Sequence, residues 1–341
     1  MKNFTPNDNF NWLFYWCCER MNIFWKKYNG EQPPWTEDET LNTYKFTNVY
    51  RVLDRVSQYL VNHVIYTEKQ YAPDDMFFRI LLFRHLNKIE TWQYLEQQGD
   101  VCLDAADGIV DALTDRLSAG HKIYNGCFMV AGRFYSNDKF AWVKGYPKHE
   151  AYMRIWNKEI FQNGRRIYDF LESPTFEQLL NNFKAVGGGG VGIYSDFTAQ
   201  QHVLDMNYSP LFNFSENDFV VLGPGSRKGL IWTFGAGAEK QGMDILKWVQ
   251  EHFEEYMQRF CNDTGMVWNP LPWEPVPTLT NLQNCFCELG KYARCIGDTN
   301  LKTVAKRPKC LYTPFAGGKE QYTFPPKMGV KMPAIGEVKP Y

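Results

Sequence analysis

The stretch VGGGGVGIYSDFTAQQH, residues 186–202, places five glycines in six positions directly before a segment that is predicted to be a helix. Glycines leave main-chain N–H groups uncovered, and the first turn of a helix presents the positive end of its dipole. A phosphate can bind at such a junction, with Gly190, Gly192 and Gln200 as candidate contacts. The run differs from a P-loop, because no Gly-Lys-Ser/Thr follows it. A simple linker between two helices is the alternative interpretation.

A second glycine-rich turn lies at residues 222–229 and contains two cationic side chains. Glycines on both sides of Pro224 predict a tight turn, and the hydroxyl and cationic side chains beside it can hold phosphate oxygens. Asp218 stands at the rim of the turn, where it can activate a nucleophile, stabilise a developing cation, or simply cap the turn. Two such turns predict a nucleic-acid or nucleotide backbone as ligand. The candidate phosphate contacts here are Gly223, Gly225, Ser226, Arg227 and Lys228.

Composition limits the classes of protein that this chain can be. Of its 341 residues 44% are hydrophobic and 16% aromatic, which predicts a folded protein with a large core. A net charge of −1 excludes a protein that coats nucleic acid through bulk charge, so any DNA contact must be a local basic patch. Nine cysteines without a secretory signal indicate free thiols in a reducing, intracellular compartment.

Two further classes of site are not expected. Cys285 and Cys287 form a C-x-C pair without the partners of a zinc motif, so we expect no metal and no cofactor. No stretch approaches the roughly 18 consecutive apolar residues of a membrane span, so we expect no membrane partner.

Helical patterns dominate the chain and predict a mainly α fold with few short strands. Helices are expected over 9–28, 46–64, 74–97, 104–118 and 244–260, and another after Ser173 as N-cap. Thr36 and Glu39 match a capping box. Short strands are expected at 128–130 and 219–222. We predict an aromatic N-terminal helical segment over 1–35, a catalytic and DNA-binding body over 36–298, and an extended Lys/Pro/Gly-rich tail over 299–341.

Polar side chains cluster on the predicted helix over 46–64. Asn48, Arg51 and Arg55 lie on one side of it, with the two arginines one turn apart. Guanidinium groups at this spacing repel each other unless an anion lies between them. The cluster is either a clamp for a phosphate or carboxylate, or a solvated face that Asp54 compensates. Glu90 is a candidate general base, or a structural partner of one of these arginines.

Two more candidates lie further along the chain. Asp205 closes the helix that follows the glycine run and is a candidate general base. Lys291 shares a predicted helix face with Glu288 and Arg294, which makes it a candidate phosphate contact or part of a salt-bridged surface.

Five segments occur in a fixed order: 45–60 with its Phe-Thr-Asn-x-Tyr-Arg core, 87–92, 192–201, 223–226 and 287–292. As a set they resemble the helical DNA-base hypermodification proteins of phages and some bacteria. That family includes the alpha-glutamyl/putrescinyl-thymine pyrophosphorylases, the amino acid:DNA transferases and the helical domains attached to 5-hydroxymethyl-deoxyuridine DNA kinases. The resemblance implies a fold similar to helix-hairpin-helix DNA glycosylases, with the run around Gly190 and Gly192 as the hairpin that grips a DNA phosphate.

The implied chemistry takes place on a thymine derivative in DNA. A kinase first phosphorylates 5-hydroxymethyl-uracil, and this family then replaces the (pyro)phosphate with an amino acid or amine. The chain shows no nucleotide-kinase segment of its own, so the resemblance implies the transferase partner. Cations such as Arg51, Arg55, Arg227 and Lys228 would take up the charge of the leaving group. A carboxylate base is also required, for which the candidates are Glu90, Asp205 and Asp218.

The partners implied are double-stranded DNA with a modified thymine and a free amino acid or amine, in the cytoplasm of the host cell if the protein is phage-encoded. The target base must leave the stack and rest on aromatic side chains. Two alternatives remain: a DNA glycosylase that excises a modified base, and a non-catalytic DNA-binding module. The aromatic candidates for holding the base are Tyr50, Trp92, Tyr194 and Tyr208.

Overall fold

Helices make up nearly all of the regular structure in a computed structural model of the chain, which describes residues 3–126, 133–162, 166–186, 193–297, 311–312 and 321–341. The predicted mainly α fold is confirmed. None of the helices in these ranges is long and apolar enough to cross a bilayer. The α-helices, in chain order, are α1 Asn11–Tyr28, α2 Glu39–Thr43, α3 Arg55–Tyr59, α4 Pro73–Leu86, α5 Ile89–Gln98, α6 Ala106–Ser118, α7 Lys148–Trp156, α8 Arg166–Leu171, α9 Phe176–Val186, α10 Asp196–Met206, α11 Pro224–Phe234, α12 Gly242–Thr264 and α13 Leu279–Cys295.

Short 3-10 and π segments extend or connect these helices, and β structure in the described ranges is limited to isolated bridges that join Tyr44 to Leu311 and Leu271 to Glu274. The strand predicted at 219–222 does not form, while 128–130 and the glycine run 187–192 lie outside the described residues. The hairpin implied for that run therefore stays a prediction. The 3-10 helices are Asp8–Phe10, Arg51–Leu53, Leu103–Ala105, Arg133–Ser136, Asp138–Val143, Ala238–Gln241 and Pro326–Met328, and the π segments are Leu60–Ile65 and Asn157–Phe161.

The chain divides into two compact units. Unit 1 combines residues 1–54 with 216–341, so both ends of the chain contribute to it, and unit 2 consists of residues 55–215. The division into the three segments predicted from the sequence stays a prediction.

Unit 1 is built on α13, whose fit to α11 depends on glycine. A Cβ added to Gly229 would overlap the carbonyl oxygen of Phe286, and one added to Gly225 would overlap the thiol of Cys287. On the opposite helix, a Cβ on Gly290 would lie 2.9 Å from the Gly225 oxygen and from the Gly229 nitrogen. The two backbones are thus in direct contact. The glycines of the second predicted turn are required for this helix packing, whatever else they bind.

The described C-terminal residues pack on α1. The hydroxyl of Tyr28 donates to the carbonyl of Pro333 at 2.7 Å, and the amide of Gly336 donates to the side chain of Asn29 at 2.9 Å. Tyr341 donates through its backbone N–H to Asn22 at 2.9 Å. This part of the predicted tail is therefore ordered against the N-terminal helix.

Unit 2 surrounds α4 with apolar side chains from its other helices. Phe77 contacts the rings of Phe170 and Phe183, with ring centroids 5.3 and 5.9 Å apart, and Phe83 meets Trp92 edge-on at 5.5 Å. The predicted single helix over 74–97 is wrong, because Asn87 adopts a left-handed conformation with φ of 47° and ends α4. A second helix, α5, then begins at Ile89.

The helix predicted over 46–64 forms only in its second half, as α3 and the π segment Leu60–Ile65 that continues it, and is wrong before Arg55. Asp54 is extended, with ψ of 139°, and separates a short 3-10 helix at Arg51–Leu53 from α3. Its carboxylate accepts a hydrogen bond from the backbone N–H of Asn48 at 2.8 Å, which stabilises a turn where periodicity predicted a helix. Arg51 and Arg55 therefore do not lie one turn apart on a single helix.

Two predicted caps are replaced by neighbouring residues. Asp38, and not Thr36, caps α2 by accepting from the backbone N–H groups of Thr40 and Leu41. At α9 the side chain of Thr175 accepts from the Gln178 N–H at 3.1 Å, in the role predicted for Ser173. In both places several adjacent hydroxyl or carboxyl groups compete, and packing selects one of them.

We predict opposite effects for two Gly→Ala substitutions. Gly229→Ala introduces a methyl group where α11 touches α13, and should lower the free energy of unfolding by about 2 kcal/mol or more, because backbone cannot move aside cheaply. Gly108→Ala in α6 meets nothing within 4 Å, and should raise it by up to about 1 kcal/mol. Urea denaturation of both variants is the measurement, and equal stability of the two would contradict the proposed contact.

Candidate functional site

The structure distributes the predicted site residues over both units. The carboxylates Glu90 and Asp205 lie in unit 2, and Asp218 lies in unit 1. Gly190 and Gly192 lie outside the described residues. The other predicted residues of unit 2 are Arg55 and Gln200, and those of unit 1 are Asn48, Arg51, Gly223, Gly225, Ser226, Arg227, Lys228 and Lys291.

Arg51 is the centre of a cluster of ionisable side chains in unit 1. It lies in the 3-10 helix before Asp54 and is only 7% exposed. Its backbone N–H donates to the Asn281 side chain of α13 at 2.9 Å, which fixes the loop against that helix. A buried guanidinium is costly unless hydrogen-bond acceptors or negative charges surround it.

Asp54 supplies one carboxyl group of this cluster. Burial raises its pKa to about 7, against the opposing effects of the Asn48 hydrogen bond and the positive charge of Arg51. The Asn48 side chain also donates to the Leu53 carbonyl at 2.9 Å, so Asn48 and Asp54 close the same turn.

Glu216 and Glu274 supply two more carboxyl groups. Burial raises the pKa of both, to about 7 for Glu274, where the charge of Glu216 adds to the shift. Arg51 opposes the shift at Glu216. Glu274 accepts from the Asn281 side chain at 2.8 Å and from the Thr278 N–H at 3.0 Å. Burial and repulsion by the neighbouring Glu216 thus allow Glu274 to exchange a proton near neutral pH.

A lysine from the C-terminal region belongs to the same cluster. Burial lowers the pKa of Lys327 to about 8, and the charge of Glu216 acts in the opposite direction. We call Arg51, Asp54, Glu216, Glu274 and Lys327 the Arg51 cluster. It contains groups that exchange protons at neutral pH beside a permanent cation, which is what general acid–base chemistry on an anionic substrate requires.

The sequence did not single out Glu216, Glu274 or Lys327. They lie in loops or short turns far apart in the chain, and no spacing rule connects them. The hydrogen bonds that bring Glu216 and Glu274 together come from Thr278 and Asn281, at the start of α13. The polar side chains of Thr278 and Asn281 at the start of α13 were the available signal.

Lys291 and Glu288 hold the loop that precedes Arg51. Glu288 accepts from the Thr47 N–H at 3.0 Å, and Lys291 donates to the Lys45 carbonyl and lies 3.4 Å from Glu288. Arg20 donates to the Asn48 side chain at 3.1 Å. These contacts are structural, and binding of phosphate by Asn48 or Lys291 stays a prediction.

The turn at 223–229 forms the start of α11. Ser226 is buried, and its hydroxyl donates to the Gly223 carbonyl at 2.9 Å and accepts from Gln283 at 3.2 Å. Arg227 is exposed and donates to the Leu222 carbonyl at 3.1 Å. Asp218 is exposed as well. The exposed Arg227 is available to a ligand, whereas the Ser226 hydroxyl already has two partners.

In unit 2, Asp205 forms a buried ion pair with Arg84. Asp205 is 0% exposed, and the guanidinium of Arg84 donates to its carboxylate and, at 3.1 Å, to the Asn87 side chain. The pair joins α10 to α4. Its geometry gives Asp205 a structural role, and its catalytic role stays a prediction.

Glu90 has the opposite surroundings. Its side chain is 53% exposed and lies 2.8 Å from Lys88 and 3.5 Å from Arg55. The hydrogen bond from Lys88 holds the pKa of Glu90 below its usual range. The predicted pairing of Glu90 with Arg55 is present at the surface, and a lowered pKa makes a carboxylate a weaker base.

Two buried histidines flank the Arg84–Asp205 pair. Burial lowers the pKa of His202 to about 3, with the charge of Arg84 acting in the same direction, and burial also lowers that of His85. Both rings contact aromatic side chains, His85 with Tyr152 and His202 with Tyr194. Gln200, on the same helix as His202, is fully buried.

The aromatic side chains expected to hold a base, Tyr50, Trp92, Tyr194 and Tyr208, are all buried as well. Among the described residues, no group of three or more His, Cys, Asp or Glu side chains can hold a metal ion.

We predict that two ion pairs of unit 2, the buried Arg84–Asp205 pair and the exposed Arg55–Glu90 pair, differ sharply in energy. Arg84→Met strands a charge in the core and should destabilise the protein by about 3–5 kcal/mol, and the double variant Arg84→Met/Asp205→Leu should recover part of this loss. The exposed pair is the control: Arg55→Met should cost less than about 1 kcal/mol. Chemical denaturation measures all three, and a small effect of Arg84→Met would show that Asp205 is not held by this pair.

The comparisons with known proteins agree with the motif set. Residues 7–300 match the family described as "5-hmdU DNA kinase, helical domain". A protein of Bacillus phage SP10 named 5-hmdU DNA kinase is 21% identical over 316 residues, which cover 84% of this chain and 47% of the phage protein. The chain thus spans about half the length of the curated relative that it matches. No solved structure shows a significant match. The predicted relationship is confirmed, and the chain belongs to the family of 5-hmdU DNA kinase helical domains.

Proposed function

We propose that the protein acts on a modified thymine in DNA and transfers an amino acid or amine onto phosphorylated 5-hydroxymethyl-uracil, with loss of phosphate or pyrophosphate. Its family and its named phage relative support a place in phage DNA modification. The substrates would be double-stranded DNA and a free amine. Such a reaction would take place where phage DNA is made, in the cytoplasm of the host.

The Arg51 cluster is the observation that carries this proposal. An amine attacks as its neutral form, so a base must take its proton, and Glu274 and Asp54 have pKa values of about 7. A C–N bond forms at the 5-methylene carbon, and the C–O bond to the phosphate breaks. The phosphate leaves with the electron pair of that bond, beside the cations of Arg51 and Lys327. The amine proton passes to the carboxylate.

The predicted phosphate contacts complete the proposal. Arg227, Lys228 and the start of α11 would bind the DNA backbone, as would the run around Gly190 and Gly192. Glu90, Asp205 and Asp218 remain alternative bases. Excision of the base is the competing reaction and would require an accessible aspartate. Because Asp205 is buried, Asp205 is disfavoured in that role.

An assay with defined DNA separates the possible reactions. The protein is incubated with DNA that contains phosphorylated or pyrophosphorylated 5-hydroxymethyl-uracil, with each amino acid in turn, and the digested nucleosides are analysed by mass spectrometry. A nucleoside with the mass of 5-hydroxymethyl-deoxyuridine plus one amino acid minus one water supports transfer. Abasic sites support excision instead. A parallel reaction with ATP and unphosphorylated 5-hydroxymethyl-uracil DNA tests phosphorylation, the activity named in the phage relative, and phosphate incorporation without adducts would replace the proposal.

We predict that the transfer rate depends on the ionisation of Glu274. The carboxylate is the active form, so kcat/KM should rise with pH and level off above about 7. Glu274→Gln keeps the hydrogen bond from Asn281, yet should lower kcat by about 100-fold or more and remove this limb of the pH profile. Glu251→Gln, an exposed change on α12, is the matched control. An unchanged profile in Glu274→Gln would exclude Glu274 as the base.

A further inference from the structure

A surface of unit 2 that the site does not use combines exposed aromatic rings with cations. Trp142 and Tyr146 are 38% and 37% exposed. The Lys158 ammonium lies 4.4 Å from the centre of the Trp142 ring, and the Arg154 guanidinium lies 4.1 Å from that of Tyr146. Lys144, between the two rings in sequence, is exposed too. We call these five residues the Trp142 surface.

The surface is held rigidly by what lies beneath it. Trp142 belongs to the 3-10 helix Asp138–Val143, whose Phe140 and Val143 side chains are fully buried. The Tyr146 carbonyl accepts from the Tyr135 hydroxyl at 2.8 Å, and its N–H donates to Val143 at 3.3 Å. Because the rings are already held in place, binding of a ligand to them costs little conformational entropy.

The cations come from the outer side of the next helical segment. In α7, Tyr152, Ile155 and Trp156 face the core, while Arg154 points outward, and Lys158 follows in the π segment. The helix therefore separates a buried aromatic face from an exposed cationic one.

The charge of this region differs from that of the whole chain. Residues 138–159 contain five Lys and Arg against three Asp and Glu, a net charge of +2 in a chain with a net charge of −1. Two of the acids are engaged locally, Glu150 at 2.8 Å from Arg154 and Glu159 at 3.3 Å from Lys139. The excess is positive and lies beside the two exposed rings.

We propose that the Trp142 surface binds a DNA strand, with an unstacked base on the Trp142 ring and with Lys144, Arg154 and Lys158 at the phosphates. Rings interleaved with cations fit a polynucleotide, because every base offers a face for stacking and every linkage a negative charge. Such a surface would hold a strand that has been opened around the target base. This proposal rests on the proposed function only in that both take DNA as the substrate.

Binding of unmodified DNA tests this surface separately from any chemistry. Fluorescence anisotropy of a labelled single-stranded oligonucleotide, its duplex and an RNA of the same sequence is measured with the full chain at several salt concentrations. Trp142→Ala should weaken single-strand binding about 10-fold, while Trp142→Phe should retain most of it. Lys144→Ala/Lys158→Ala should weaken binding and reduce the slope of log Kd against log salt concentration by about 1.4.

The control removes the same charge elsewhere in unit 2. Lys69→Ala/Lys184→Ala eliminates two exposed lysines that pair with Asp100 and Asp196. This variant should not show the weaker DNA binding or the reduced salt dependence that we expect of the Lys144/Lys158 variant. Thermal unfolding shows whether each variant is folded. Wild-type binding by folded Trp142→Ala would overturn the proposal, as would equal losses in the two double variants or tighter binding of RNA. A failed transfer assay with these binding effects intact would reject the proposed function alone.

Discussion

Direct backbone contact between α11 and α13 is the constraint on which unit 1 depends. Three glycines allow it, Gly225 and Gly229 on one helix and Gly290 on the other. While α11 packs on one side of α13, Asn281 and Glu288 of α13 hold the loop that contains Arg51. The close approach of two helices thus helps to fix the position of α13, against which the cluster of charged groups forms.

Desolvation gives the Arg51 cluster its chemical character. More carboxyl groups than cations surround a buried guanidinium, and burial raises the pKa values of Asp54 and Glu274 to about 7. A carboxyl group in water is fully ionised at neutral pH and is a poor proton acceptor, whereas one near pKa 7 can both take and return a proton. Lys327, with its pKa lowered to about 8 by burial, adds a third group that titrates close to neutrality.

The carboxylates of unit 2 show how the same side-chain type serves other purposes. Asp205 is fixed by Arg84 in the core, where the pair links α10 to α4. Glu90 lies at the surface between Lys88 and Arg55. Neither combines burial with competing charges in the way Glu274 does. The buried neutral histidines His85 and His202 extend the polar core around Asp205, and burial keeps them uncharged.

The sequence by itself determined the helical class, the family and the placement of α1, α6 and α12 to within a few residues, because long periodic segments and ordered motif sets are local properties of a chain. It also identified Arg51 as a charged residue of interest. Only the tertiary structure decided that Asp54 interrupts the helix predicted around it, since a side-chain hydrogen bond to Asn48 outweighs periodicity there. Only the tertiary structure could bring Glu216 to Arg51 and Glu274 to Glu216. Proximity between distant loops, and the desolvation that shifts a pKa, depend on packing that no spacing along the chain encodes.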